Sequence, residues 1–376
     1  MAEQQRIVFL DWLRAIACLM VIIVHSCEPF YLGGEGTLIA SLSDGLWVTI
    51  VDSMLRAAVP LFIIASSYLL FPVRTDMGTF FRRRFTRVLV PLLVWSLLYA
   101  VIPLYGTENY DVAANLKQWI FNFPAQAGHL WFVYMLAGLY ILMPMLSPWV
   151  DKLGKKEEEI FIALWAVTTV LPLLRPIAAN LTGGNALLYG EANWNRCGAF
   201  YYVSGFIGYL LIGHYFRKWV KELSWAKTLK YALPCLVFGY IIIAGGFFWR
   251  MPGNFPVEGP IDIAVYMELT WCFDTLGVAL QSVGYFMLIR KITSDGCFYQ
   301  KVVLPISRMS YGMYLMHIFI LVPVFALVSA WVNSWGISAV AATPLIIIMT
   351  ALATYLLSFA VTKLISFIPK SKYIIG

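Results

Sequence analysis

FLDWLRAIACLMVIIVHSCEPFYL, Phe9 to Leu32, is the stretch that decides the architecture. It is apolar enough to cross a bilayer, yet it carries Asp11, Arg14 and His25. Ionisable groups are expensive in hydrocarbon, so within a span they face a protein interior or a wet cavity. Arg14 and His25 are eleven residues apart. On an α-helix that is three turns plus roughly 20°, which puts them on one face about 16 Å apart along the axis. Asp11 lies one turn before Arg14, so an i,i+3 ion pair or snorkelling at the interface is an alternative for those two. His25 has no such simple structural use. Its apolar run is interrupted by charge and no A-x-A site follows, so the segment reads as a retained helix and not a cleaved leader.

Similar runs recur along the whole chain. Of 376 residues 61% are hydrophobic and 12% charged, and the mean hydropathy is +0.77. A soluble domain of this size does not have that composition. Runs of about 20 apolar residues match the roughly 30 Å hydrocarbon core. Ten are expected, at 9–32, 46–71, 88–105, 128–150, 159–177, 197–216, 229–249, 264–289, 305–332 and 338–362. The connectors are short, so residues 1–376 read as a single polytopic domain, all-α and integral to the membrane.

Lys and Arg in the connectors set the orientation. With both termini cytoplasmic, 22 of the 27 basic residues fall on the inner side. The net charge of +7 is therefore mostly topology signal and not evidence for nucleic acid. The six cysteines, at 18, 27, 197, 235, 272 and 297, form no CxxC or metal-spaced cluster, so no metal is expected. They read as small buried residues, with a Cys27–Cys197 bond left open. No sustained internal repeat is present, which weakens a repeat-built transporter.

Three further patterns carry chemistry. In FFRRRFTRVLVP, residues 80–91, Arg82, Arg83, Arg84 and Arg87 crowd the inner end of the third run. Arg83 and Arg87 are i,i+4 and Arg84 and Arg87 i,i+3, so guanidinia can point one way. Arg suits bidentate phosphate recognition, although topology or lipid headgroups also call for basic residues there. In ISRMSYGMYLMHIF, residues 306–319, Ser310, Tyr314 and His317 line one helix face; bonding between helices is the plain alternative. GHLWFVYML, residues 128–136, sets His129 beside Trp131, which is also ordinary aromatic-belt composition.

Taken together, Arg14-x10-His25, the R-x-x-R of Arg84 and Arg87, the HLWF stretch 129–132 and the SYGMYLMH stretch 310–317 resemble the membrane-bound acyltransferase-3 family. Their order matches, the resemblance covers nearly the whole chain, and it is to the stand-alone form without a fused soluble domain. It implies a multi-pass protein of the cytoplasmic (inner) membrane. The implied activity transfers an acyl group, usually acetyl, from cytosolic acyl-CoA to a hydroxyl or amine of a cell-envelope glycan or lipid-linked sugar. Besides acetyl-CoA, glycan and membrane lipid no partner is implied, and the oligomeric state stays open.

The residues fit such chemistry. The Arg cluster, with Arg14 near its entrance, would take the donor's phosphates. The pantetheine arm would follow the polar face of the first helix toward His25, a general base worth typically about 10²–10⁴-fold. Tyr314, Ser310 or His317 would supply oxyanion donors, and His129 and Trp131 would contact substrate. Glu28, Asp52, Glu268 and Asp274 are the acids that could orient His25, and the sequence does not rank them. Trp119, Tyr189, Trp194, Asn185, Asn193 and Asn195 are sugar-binding types in outer connectors. Direct transfer and an acyl-His25 intermediate both stay open. The rival class is a transporter or flippase for an anionic solute.

Overall fold

Pro60 shapes the second apolar run. It has no N–H to give to the carbonyl of Arg56, and its ring crowds that carbonyl. In the computed structural model the chain accordingly divides into α2, Leu42–Leu55, and α3, Ala58–Leu70, with Arg56 at the break. Before it, α1 spans Val8–Cys27 and passes into a single 3-10 turn, Glu28–Phe30.

The structure describes residues 6–33, 36–37, 39–105, 110–184, 188–192, 194–195, 197–250 and 268–376. Among them, eight helical segments are long and apolar enough to cross a membrane: Val8–Phe30, Leu42–Leu70, Met77–Val101, Ala125–Lys152, Lys155–Leu181, Trp225–Trp249, Tyr299–Asn333 and Ala339–Ile365. The protein is all-α and built to lie in a membrane.

Two of the ten expected runs do not form one long helix among the described residues. The run 197–216 folds as a 3-10 turn, Gly198–Val203, followed by a short α-helix, Ile207–Lys218. Gly198 (φ +53°) and Gly205 (φ +71°) take left-handed backbone and interrupt the helix there. Of the run 264–289, residues 264–267 lie outside the described residues, and the helix is Leu276–Ile289. At 14 residues it is an apolar helix shorter than the eight long segments. The third run starts earlier than its apolar part: the helix begins at Met77, so the Arg run lies on the helix itself.

The chain folds as two compact units. The first comprises residues 1–72 and 148–294. It holds α1 to α3 and, in the numbering of all the helices, α7 (Lys155–Leu181), α8 (Ile207–Lys218), α9 (Trp225–Arg250) and α10 (Leu276–Ile289). Small residues let these helices approach closely. A Cβ on Gly239 of α9 would lie 2.7 Å from the carbonyl oxygen of Gly277 on α10. Between α3 and α8, Ser67 Oγ donates to the Leu210 carbonyl at 2.5 Å. The carbonyls near the end of α2 are held from outside. Gln281 Nε2 donates to Ser53 O at 3.0 Å and Tyr285 OH to Met54 O at 3.0 Å.

The second unit comprises residues 73–147 and 295–376. It holds α4 (Met77–Val101), α5 (Val112–Trp119), most of α6 (Trp131–Lys152), α11 (Leu304–Asn333), α12 (Ala339–Ile365) and α13 (Lys372–Ile375). Asp76 caps α4 by accepting from Thr79 N at 2.8 Å. That bond holds its carboxyl below the usual carboxylate range. Tyr99 OH and Tyr311 OH tie α4 to α11 through the carbonyls of Leu315 (3.1 Å) and Val88 (2.7 Å).

Candidate functional site

In the first unit, α1 ends where Pro29 enters and the backbone tightens into the 3-10 turn. The turn is closed by Tyr31 N–H donating to the Glu28 carbonyl at 3.0 Å. It brings the Glu28 carboxylate back over the last turn of α1, 2.8 Å from Nδ1 of His25. An ionised carboxylate only accepts, so Nδ1–H is the donor and the Nε2 lone pair is the basic one. The His25 side chain is 17% exposed and that of Glu28 30%. Of the acids that the sequence offered, Glu28 is bonded to His25. Asp52 pairs instead with Arg56, at 2.6 Å. Asp274 lies in the turn ahead of α10, and the side chain of Glu268 lies outside the described residues.

Arg14 and His25 stand on α1 as their spacing requires, and Arg14 is also an ion-pair member. Its Nη1 is 3.4 Å from Asp11 Oδ1. Arg6 holds the other oxygen of the same buried carboxylate at 2.6 Å. The Arg14 side chain keeps 29% of its surface exposed.

The remaining expected site residues belong to the second unit. On α4, Arg82, Arg83 and Arg87 are exposed, and Arg84 is half-buried with its guanidinium 6.0 Å from the Phe80 ring centre. Among the described residues none of the four has a carboxylate partner. The HLWF and SYGMYLMH stretches meet. His129 is buried, with its ring centre 5.0 Å from that of His317 and 5.7 Å from that of Tyr314. His317 Nδ1–H donates to the Tyr314 carbonyl at 2.6 Å. The Tyr314 hydroxyl donates to the His129 carbonyl, and Ser310 Oγ donates to Ser307 O at 3.0 Å. Both hydroxyls expected as oxyanion donors thus carry backbone bonds here. Trp131 opens α6, half-buried and edge-on to Phe132.

Sequence reasoning missed one pair. His214 on α8 donates from Nδ1 to Glu158 on α7 at 2.8 Å, and Trp219 Nε1 donates to the other oxygen of that carboxylate at 2.7 Å. The partners are 56 residues apart, and Glu158 sits in a KKEEE run that reads as a solvated face. No local signal joins them. The six cysteines are unbridged, Cys27 and Cys197 included. Tyr189 and Trp194 are exposed, whereas Asn185 and Asn193 lie outside the described residues. Among the described residues no three His, Cys, Asp or Glu side chains gather as a metal site.

A family model described as an acyltransferase domain matches residues 7–363, nearly the whole chain. The chain belongs to the acyltransferase-3 family. Comparison with curated proteins and with solved structures returned no match. An acyltransferase of this family has an acyl group to move at the membrane.

Proposed function

We propose that this acyltransferase moves an acyl group, acetyl in the simplest case, from acyl-CoA to a hydroxyl of an envelope glycan or lipid-linked sugar. The reading places the protein in the cytoplasmic membrane with both termini inside. The observation that carries it is the His25–Glu28 contact of 2.8 Å on a partly exposed imidazole. Glu28 holds the ring in the tautomer whose Nε2 accepts a proton, which is the geometry of a general base. Nε2 takes the proton of the acceptor hydroxyl as its oxygen attacks the thioester carbonyl. The C–S bond then breaks, and the departing thiolate of CoA takes that proton back from the imidazolium.

The donor carries phosphates, and the exposed Arg82, Arg83 and Arg87, with Arg84 beside them, offer guanidinia with no carboxylate partner among the described residues. Such groups bind phosphate bidentately.

The deciding experiment is thermal unfolding of the detergent-purified protein with acetyl-CoA, with dephospho-CoA as a comparison. A ligand that binds the native state raises its apparent stability by mass action. Acetyl-CoA should raise the midpoint, and the doubly substituted Arg84→Ala, Arg87→Ala variant should lose the rise. No rise at saturating acetyl-CoA would remove the donor assignment and return the Arg run to topology.

A further inference from the structure

Arg56 and Asp52 are both buried, at the break between α2 and α3, inside a membrane-crossing segment. Burying a charge pair is costly, and replacing such a pair by apolar side chains often leaves a protein as stable or more so. Stability alone is a poor reason for the pair to be there, so its surroundings show what it holds. Arg56 Nε lies 2.6 Å from Asp52 Oδ1, and its Nη2 2.9 Å from Oδ2. The guanidinium sits 4.2 Å over the ring of Trp271. Trp271 is itself fixed, stacked on Phe247 at 3.8 Å and donating from Nε1 to Ser53 Oγ at 2.9 Å.

Tyr31 connects this platform to His25. Its buried ring meets Trp271 edge-on at 5.4 Å, and its hydroxyl accepts from Arg56 Nη2 at 3.4 Å. Its backbone N–H closes the 3-10 turn on Glu28. Among the described residues, the charged groups near His25 include Glu28, Arg56 and Asp52.

We propose that Arg56, held by Asp52, is a positioning residue for the His25–Glu28 pair: through Tyr31 it fixes the turn from which Glu28 reaches back to the imidazole. The inference rests on reading His25 as the base. A supporting shell of this kind decides whether a reacting group stays in register. Arg56 touches no reacting atom; it sets where Glu28 stands.

The test needs no acceptor. His25 of the full-length protein in detergent is modified with diethyl pyrocarbonate across a pH series, and its carbethoxylation rate is read by peptide mass spectrometry. Glu28→Gln gives the profile of an imidazole without its carboxylate. Arg56→Lys and Tyr31→Phe should both move from the wild-type profile toward it. The rate at neutral pH should change about threefold, equivalent to about half a pH unit. Thermal midpoints should stay near wild type, and guanidinium geometry rather than charge is what Arg56→Lys removes. Wild-type profiles in both variants, or in Glu28→Gln itself, would overturn the inference. Should Arg56→Lys fail to fold, Tyr31→Phe removes a single oxygen and decides alone. His25→Ala is assayed separately for acetyl transfer: turnover retained there would remove His25 as base, while shifted profiles would still establish the positioning.

Discussion

His25 meets Glu28 and His214 meets Glu158 at the same 2.8 Å, in the same unit, with the same ring nitrogen. The surroundings differ. The first pair forms across one turn at the end of α1 and keeps 17% and 30% of its side-chain surface. The second joins α7 to α8, keeps 4% and 0%, and has a third member, the indole of Trp219. A reacting group has to be reached, and a carboxylate that only orients it can stay partly wet. A carboxylate sealed in protein must instead have its charge satisfied on every side. Distance alone therefore does not tell the two pairs apart; access and the number of partners do.

The comparison breaks most decisively at the two histidines. His25→Ala should lower acyl transfer by about 10²–10⁴-fold, the usual worth of a general base. The unfolding midpoint should move less than for His214→Ala, because the His25 side chain is 17% exposed and its carboxylate partner 30%. Undiminished turnover per folded molecule would put His25 on the structural side of the comparison. His214→Ala should do the reverse. It strands a buried carboxylate, which typically costs about 3–5 kcal/mol. Denaturant unfolding in micelles should show that loss, while transfer per folded molecule stays at the wild-type rate. A variant as stable as wild type would mean that Glu158 finds its stabilisation elsewhere.

How much of this was legible in the sequence follows from the range of each interaction. Hydropathy located the long helices because each one answers locally to the thickness of a bilayer. At 197–216 and 264–289 the composition is apolar, but among the described residues the backbone turns before a short helix instead of continuing as one long helix. The shared face of Arg14 and His25 needed only helical geometry, and so did the placing of the Arg run. The carboxylate beside His25 stayed open because an i+3 contact beyond a helix end depends on the turn that follows it. Pro29 and Tyr31 make that turn. The break at Arg56 follows from Pro60, although the run 46–71 was expected as one continuous span. Nothing local links Glu158 to His214; only the packing of α7 on α8 does.

Glu28→Gln tests the wet side of the comparison more gently. The amide keeps the shape, but it removes the charge that favours one tautomer of His25 and the imidazolium formed when the base takes a proton. Carboxylates that orient metal-bound imidazoles are worth about 10–100-fold, and a loss in that range is expected here in transfer rate. Stability should change little, since both side chains are only partly buried. A full-rate Glu28→Gln variant would leave His25 oriented by something other than Glu28.

The smallest effect belongs to a neighbour of the buried pair. Tyr215 OH donates to Glu159 at 2.5 Å, one residue along from His214 and from Glu158, but this contact is exposed. Water can replace either partner, so the bond exchanges one hydrogen bond for another and its net worth is small. Tyr215→Phe should therefore cost no more than about 1 kcal/mol in denaturant unfolding, well below the loss from His214→Ala. The two substitutions act between the same two helices, and burial is the main variable separating them. If Tyr215→Phe destabilised the protein as much as His214→Ala, the clamp between α7 and α8 would act as one unit, and sealing from water could no longer explain why the His214–Glu158 pair matters.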